Sequence, residues 1–359
     1  MTRRGGSDHV GSARGQGPAT VTQVAARAGV SVATVSRTLA GNYPVATETR
    51  ARVMKAVEQL GYIPNAHARA LKSQARLVGI VITDVADPFF GYIARAVERE
   101  AAAQGRICLI TASHGDRSGR EIELVDLLRE QRAEVIVLVG GAPDEPEYRR
   151  RMAKRAKAMD EVGARLVLCG RPSLGPGVPT RNVTYDNEGG AYAVTDHLIT
   201  QGHRRILYVG GPTGLSTTTL RLDGFHRALA GRDIDPDPRL ERIGNFGYPF
   251  GYRTMHQVLQ EKLDFTAVFA ANDLVASGVY DALEEAGIAV PDDVSVVGYD
   301  DLPIAQVLRP RLTTVNVPLE ELGREAVRAG LSAEDPFRPL APEIVVGTHV
   351  VIRDSVARR

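Results

Sequence analysis

Tryptophan is absent from this chain of 359 residues, and cysteine occurs only twice, at Cys108 and Cys169. Both cysteines lie in apolar runs with the length of buried strands. Two free thiols are therefore the favoured prediction, and a disulfide between them is the alternative. The sequence has no apolar run of about 18 residues, so no membrane-spanning helix is predicted. The eight histidines show neither a His-Glu-x-x-His motif nor clustered ligand spacing, so no metal site is predicted.

Sequence motifs of enzymes are also missing. The glycine clusters at 139–142 and 209–214 lack the Gly-Lys-Ser/Thr of a phosphate-binding loop and the Gly-x-Gly-x-x-Gly of a dinucleotide site. Ser216 has no Gly-x-Ser-x-Gly setting and no obvious general base. We therefore expect neither catalysis nor a cofactor. Residues 1–18 contain no apolar segment, so they read as a disordered tail of a cytoplasmic protein and not as a secretory signal.

Positive charge is distributed unevenly, although the whole chain carries a net charge of only +1. Residues 19–76 carry eight basic and two acidic side chains, a net charge of +6. The tail 1–18 adds +2, which leaves −7 for residues 77–359. A basic module joined to an acidic larger one predicts that only the first part contacts a polyanion. A solvated basic surface is the alternative interpretation.

Two short helices joined by a tight turn are predicted near the N-terminus. Thr20 can cap the first helix, and Gln23, three residues later, completes a capping box. Gly29 ends that helix, since a sharp turn there needs a positive φ. Ser31 is a good N-cap for a second helix over Val32–Leu39. Two helices separated by such a turn are typical of a helix-turn-helix.

A third helix is predicted after Thr47, and its apolar spacing predicts burial of Val53, Met54, Val57 and Leu60. The Ala-rich segment 65–72 that follows is too short to be a stable helix alone in water. It is therefore predicted to be a linker that is helical in only one state.

From Leu77 onwards, apolar runs alternate with amphipathic helices. Continuous apolar strands between helices indicate parallel sheets covered on both faces. Two series of strands predict two similar subdomains, with a cleft where the carboxyl ends of the strands meet. The predicted strands are 77–82, 107–112, 134–140, 165–170 and 182–186, then 205–211, 239–244, 267–272, 294–300 and 312–317.

Seven stretches of the sequence are characteristic: Thr22–Arg37, Glu58–Asn65, Asp87–Phe90, Gly202–Ile206, Arg221–Phe225, Ala271–Asp273 and Val297–Asp301. Through them the chain closely resembles the lactose-repressor (LacI/GalR) family from Thr20 to the C-terminus. The resemblance implies a helix-turn-helix DNA-binding domain over 19–64, a hinge helix over 65–75, and a core over 76–359 similar to periplasmic sugar-binding proteins. The tail 1–18 lies outside it.

The resemblance implies a sequence-specific transcription regulator, of which a repressor is the favoured form. It would bind a palindromic operator as a homodimer, with a tetramer as the alternative. Its affinity for the operator would be controlled by a small sugar-like effector. A phosphoprotein corepressor in place of the small ligand is one alternative. A solute-binding protein of a transporter is another, although the basic N-terminal module argues against it.

In a helix-turn-helix, the first residues of the second helix face base edges in the major groove. Arg37, one turn further on, can make a bidentate contact to guanine, with a phosphate contact or a surface ion pair as the alternative. In the hinge, the resemblance places Leu71 as an apolar wedge in the minor groove; a buried contact with the core is the alternative. The other predicted DNA-binding residues are Ser31, Val32, Ala33, Thr34 and Ser36 for bases, Thr20, Thr49, Tyr62 and Asn65 for phosphates, and Ala68 in the hinge.

A cleft that binds a polyol needs an aromatic face and convergent polar groups. Gly170 and Val317 stand where relatives commonly have an acidic residue and Gln, so the effector is expected to be smaller or less polar than a hexose, with a nucleoside as an alternative. The alternatives are purely structural roles: core packing for the aromatic candidates, helix capping for Asp87 and Asn272, and a turn for Asp300. The predicted effector-binding residues are Asp87, Phe89, Phe90, Tyr185, Arg221, Phe246, Asn272 and Asp300.

Overall fold

The computed structural model of the protein describes residues 19–40, 44–62, 76–115, 118–332 and 343–359. The tail 1–18 and the hinge 65–75 fall outside these ranges. The chain divides into two compact units, Met1–Ala75 and Arg76–Arg359.

The first unit contains the three predicted helices, α1 (Val21–Ala28), α2 (Val32–Ala40) and α3 (Thr47–Leu60). The predicted capping box is confirmed, because the Gln23 N–H donates to the Thr20 hydroxyl and the Thr20 N–H donates to the Gln23 side chain. Each bond satisfies a polar group that the helix itself leaves unpaired.

The turn between α1 and α2 also follows the sequence. Gly29 has a φ of 64°, as the predicted turn requires. The Ser31 hydroxyl accepts the Thr34 N–H at 3.1 Å and so caps α2. One prediction is wrong: Met54 is 48% exposed, and Ala56 is buried instead. Ala56 lies three residues after Val53 and shares its face of α3, whereas the adjacent Met54 is rotated by about 100°.

The second unit contains two parallel sheets, as predicted. The first sheet has the strand order β11-β5-β4-β3-β1-β2. Its strands are β1 (Leu77–Ile82), β2 (Ile107–Ala112), β3 (Val135–Val139), β4 (Arg165–Cys169), β5 (Thr180–Tyr185) and β11 (Glu343–Val346). The helices of this half are α4 (Pro88–Ala103), α5 (Arg120–Glu130), α6 (Pro146–Asp160) and α12 (Leu319–Leu331).

The second sheet has the order β7-β6-β8-β9. Its strands are β6 (Ile206–Val209), β7 (Glu241–Arg242), β8 (Ala267–Ala270) and β9 (Ser295–Val297). The helices of this half are α7 (Asn187–Thr200), α8 (Ser216–Ala230), α9 (Tyr248–Gln260), α10 (Asp273–Glu285) and α11 (Pro303–Val307). A fold of two parallel-sheet subdomains after an all-α domain is therefore confirmed.

Three features of the core differ from the sequence prediction. The last predicted strand does not extend the second sheet: β10 (Thr314–Asn316) pairs antiparallel with β12 (His349–Val351), where the chain passes between the halves. Neither β11 nor β12 was predicted, since both are short and neither is a fully buried apolar run. Cys108 is only half-buried, because β2 is an edge strand. Both cysteines are free, as predicted.

Candidate functional site

Helix α2 presents one face to its own unit and one to solvent. Val35 is fully buried among α1 and α3, whereas Val32 is 41% exposed. Ala33 and Arg37 are also exposed, and Ser36 is half-buried. Several of the predicted base-reading residues are therefore accessible on the face of α2 that points away from the packed core of this unit.

Several predicted DNA contacts have local structural roles as well. The Ser31 hydroxyl caps α2 and lies 2.9 Å from the Thr34 hydroxyl. Thr20 is exposed and caps α1. Thr49 is half-buried, and Tyr62 packs against the core of this unit. The remaining three predicted contacts, Asn65, Ala68 and Leu71, lie outside the described residues.

Within the described part of the first unit, the basic side chains lie on the surface. The Arg27 guanidinium donates to the Gln59 side chain at 3.1 Å, which ties α1 to α3. The exposed cations of α2 and α3 are Arg37, Arg50, Arg52 and Lys55. This concentration of charge fits a surface that meets phosphates.

The second unit holds a cavity of about 630 Å³ at the carboxyl ends of the strands of both sheets. All eight predicted effector residues line it. From the first half come Asp87, Phe89, Phe90 and Tyr185, and from the second half Arg221, Phe246, Asn272 and Asp300.

Arg221, on α8, is the best-connected polar residue of this cavity, and it is only 2% exposed. Its Nη2 donates to Asp300 Oδ1 at 2.8 Å, and to the Tyr185 hydroxyl at 3.3 Å. Its Nε donates to the Asn187 side chain at 3.0 Å, and its Nη1 to the Ala271 carbonyl. The guanidinium is therefore oriented by groups from both halves of the core.

The ring of Tyr299 lies under the same guanidinium, 3.7 Å from its carbon to the ring centroid. An aromatic face attracts a cation at this distance. The Tyr299 hydroxyl donates to the carbonyl of Asp186 at 3.1 Å, at the first crossing between the halves. Tyr299 thus joins the arginine to the connection between the sheets, although it was not predicted as a site residue.

Asp300 occupies an unusual backbone position. Its φ is 100°, and that of the following Asp301 is 56°, both in the region that favours glycine. Burial raises the pKa of the Asp300 carboxyl, while the Arg221 guanidinium opposes that rise. A strained residue held by a buried ion pair is a frequent feature of ligand sites.

Two of the predicted polar residues are helix caps, which was the alternative interpretation. Asp87 Oδ1 accepts the Phe89 N–H at 2.9 Å, and Asn272 Oδ1 accepts the Val275 N–H at 2.8 Å. Both caps nevertheless line the cavity. Capping engages an oxygen of each side chain, and the amide NH2 of Asn272 is a separate donor group.

The aromatic candidates also serve two purposes. Phe89 and Phe90 pack edge to face at 5.3 Å and belong to the hydrophobic core. Tyr185 is buried, and burial raises the pKa of its hydroxyl. Phe246 is half-buried, and its ring lies 5.8 Å from the Arg221 guanidinium. Each ring is thus part of the core and of the cavity wall.

Further lining residues were missed, although their position after strands was a usable signal. Thr83 follows β1, His114 follows β2 and Asn245 follows β7, and all three line the cavity. Thr217 and Leu274 line it from the first turns of α8 and α10. Thr83, His114, Asn245 and Thr217 widen the set of polar groups available to a ligand.

Gly170 and Val317, which stand where relatives commonly have an acidic residue and Gln, lie in different parts of the core. Gly170 faces the Tyr185 ring, which would lie 3.1 Å from an added Cβ. Val317 is buried and lines a separate cavity of about 370 Å³. Neither residue is among those that line the larger cavity.

A second buried carboxylate supports Asp300. Asp273 Oδ2 accepts the Leu302 N–H, and its Oδ1 accepts the Thr314 hydroxyl, both at 2.6 Å. Burial raises its pKa well above the usual value, and the charge of Asp300 adds to the rise. Asp273 thus fixes two segments that follow the aspartate that pairs with Arg221.

Comparison with known proteins agrees with this arrangement. Residues 20–65 match the family described as bacterial regulatory proteins, lacI family, and residues 195–356 match the periplasmic binding protein-like domain. The HTH-type transcriptional regulator GalR of Escherichia coli (strain K12) is 38% identical over 343 residues, which cover 94% of this chain and 96% of GalR.

Two solved structures extend the comparison. The lac repressor dimer bound to operator and the anti-inducer ONPF has a TM-score of 0.73 and 27% identity, over 95% of this chain and 99% of the other. The complex of the regulator CelR with cellobiose has a TM-score of 0.65 and 33% identity, over 94% and 99%. The chain belongs to the LacI family of DNA-binding transcriptional regulators.

Proposed function

We propose that the exposed face of α2 reads the operator and that the cavity of the core binds the effector that controls this reading. The observation that carries the proposal is the cavity itself, which joins the carboxyl ends of both sheets around the Arg221–Asp300 pair. A ligand there contacts both halves of the core. It can therefore favour one arrangement of the halves over another, which is the requirement for allosteric control.

For DNA recognition, the proposed base contacts are those of the predicted recognition helix. Arg37 is its only side chain with the fork that matches guanine. Val32 and Ala33 have no side-chain hydrogen-bonding groups, so they contact thymine methyl groups or leave room for other contacts. Thr20, Thr49 and Tyr62 are proposed to contact phosphates, which position the helix without reading sequence.

Replacing Arg37 with Ala is expected to remove discrimination between bases at one base pair of each half-site, symmetrically in the two half-sites. The loss should be about 1–3 kcal/mol per half-site. The loss arises because a bidentate donor to guanine disappears. The measurement is a comparison of affinities for single-base variants of an operator duplex selected from a random library by the full-length protein. Arg52→Ala, on the exposed surface of α3, is the matched control and should weaken all duplexes alike. An equal loss over all sequences for Arg37→Ala would make it a phosphate contact.

The hinge and the oligomeric state complete the proposal. The domain boundaries 19–64, 65–75 and 76–359 are retained, with Asn65, Ala68 and Leu71 as DNA contacts in the hinge. Support comes from the family resemblance and from the lac repressor relative, which was solved as a dimer bound to operator. A dimer matches the symmetry of a palindromic operator.

For the effector, we favour a small sugar or a similar polyol. The complex of CelR with cellobiose supports this class. Arg221, Asp300 and Asn272 supply donors and acceptors for hydroxyl groups, and Phe246 supplies an aromatic face. Access to operator DNA implies that the protein acts in the cytoplasm. The relatives are transcription regulators, and we assign no enzymatic activity to this chain.

The test is a titration of the full-length protein with a panel of neutral mono- and disaccharides that includes cellobiose. We expect one of them to bind and to change affinity for the selected operator duplex by about 5–150-fold. Binding to the duplex should also weaken steeply with salt, because the basic first unit releases counterions from phosphates. Operator binding that no member of the panel changes would count against the small-sugar assignment.

A further inference from the structure

A short pairing of two backbone segments joins the halves of the core beside the cavity. Residues 142–144 follow β3 of the first half, and residues 214–216 lead into α8 of the second half, which begins at Ser216. We call their contact the cross-cleft pairing. Three hydrogen bonds form it: Ser216 N–H to the Ala142 carbonyl at 3.0 Å, Asp144 N–H to the Gly214 carbonyl at 2.8 Å, and Ala142 N–H to the Ser216 hydroxyl at 2.9 Å.

The approach of the two segments is close at Gly141. A Cβ at this position would lie 2.6 Å from Thr217 Oγ1 and 2.8 Å from Leu215 Cγ, so any larger residue would displace these side chains. Gly140, Gly141, Leu215 and Thr217 also line the cavity. The cross-cleft pairing is therefore continuous with the wall that a ligand would touch.

Arg171 lies immediately behind this segment and is not among the cavity-lining residues. It is only 2% exposed. Its Nε donates to the Gly140 carbonyl at 2.8 Å, and its Nη2 to the Val139 carbonyl at 2.9 Å. Its remaining donors bind the Glu121 carboxylate and the Tyr148 hydroxyl at 3.0–3.2 Å. All five N–H groups of the guanidinium can be used in this way.

We propose that Arg171 is a positioning residue for closure of the effector cleft. It holds two successive carbonyls at the end of β3, so that the backbone just after them meets residues 214–216. The inference rests on the proposed function, because closure matters only if the cleft binds an effector. Glu121 and Tyr148 orient the guanidinium from the opposite side.

The use of an arginine paired with Glu121 favours a role in positioning the backbone over a role in stabilising the fold. A buried ion pair is often no more stabilising than apolar residues of the same volume. A guanidinium, however, can bind two carbonyls and a carboxylate in one rigid plane, which an ammonium or an apolar side chain cannot do. The rigid fork therefore specifies a backbone position, and that position is the start of the cross-cleft pairing.

The test replaces the whole cluster in the full-length protein, with Glu121→Met, Tyr148→Phe and Arg171→Met together. We expect the fold to persist, because no charge is left buried. Hydrogen exchange at the amides of Ala142, Asp144 and Ser216 should become about tenfold faster, the effect of losing about one hydrogen bond. The amides of Ser113 and Gly210, which bond within one sheet each, should keep their protection.

Two single variants separate positioning from stability. Glu121→Gln leaves the Arg171 charge buried without its partner, so it lowers the stability of the core. It keeps the bonds from Arg171 to both carbonyls, so the three amides should lose no more protection than the amides of Ser113 and Gly210. Arg171→Lys keeps the charge beside Glu121 but loses the fork, so the three amides should exchange faster even if the triple variant does not fold. Measured against the Ser113 and Gly210 amides, unchanged exchange of the three amides in Arg171→Lys, or an equal acceleration in Glu121→Gln, would overturn the proposal. A wild-type protein that binds no sugar would refute the proposed function and leave these exchange rates interpretable.

Discussion

Arg221→Ala is expected to lower the free energy of unfolding of the core by about 3–5 kcal/mol and to abolish the response to effector. The variant leaves the Asp300 carboxyl buried without its partner, and it removes donors to Asn187 and Ala271. An effector hydroxyl in the cavity would then face an unpaired acid. The measurements are calorimetric unfolding of the full-length protein and operator binding with and without the effector found in the sugar panel.

The same helix offers a matched control. Arg227 on α8 pairs with Glu188, but its side chain is 54% exposed. Arg227→Ala should therefore change stability by less than about 1 kcal/mol and leave the effector response intact. A loss of several kcal/mol in this control would show that any arginine removed from α8 is costly.

A double variant separates stability from binding. Arg221→Met combined with Asp300→Asn removes both charges, and Asn tolerates the positive φ of this position. Most of the lost stability should return, since no buried charge remains unpaired. The effector response should stay absent. A double variant that responds normally to effector would show that this ion pair has a structural role only.

The sequence predicted the position of the cavity because this position depends on local patterns, namely where each apolar strand ends. Parallel strands with apolar runs end at one edge of a sheet, and residues just after them, such as Asp87 and Asn272, must lie at that edge. Both β1 and β2 begin and end where the alternation of apolar runs placed them. The eight predicted effector residues therefore came together in the structure, although what they bind stays a prediction.

What the sequence could not give depends on contacts between distant segments. Nothing in the spacing of Glu121, Tyr148 and Arg171 indicates that they share one buried cluster. The stacking of Tyr299 under Arg221 likewise depends on how the chain passes between the sheets. The same crossing places β10 beside β12 and not in the second sheet. Such pairings are set by tertiary packing, which periodicity does not encode.

Val35→Asp is expected to abolish operator binding and to leave effector binding unchanged. Val35 is fully buried in a core for which residues 19–40 and 44–62 supply six buried apolar side chains, Val24, Ala25, Ala28, Val35, Val53 and Ala56. A carboxylate there has no partner, and burying an unpaired charge costs several kcal/mol. A small unit has little stability to lose, so α2 should no longer be held for DNA contact.

The measurements are a gel shift with the selected operator duplex, and calorimetric unfolding and effector titration of the same full-length variant. Met54→Asp is the matched control, since it adds the same charge to the same unit at an exposed position. It should keep the helical unit folded and weaken operator binding only modestly, through repulsion of phosphates. Because the core has its own packed sheets, its unfolding transition should be the same in both variants. Operator binding retained by Val35→Asp would mean that DNA recognition does not depend on the packed three-helix unit. A core transition that moved with Val35→Asp would instead mean that the two units unfold as one.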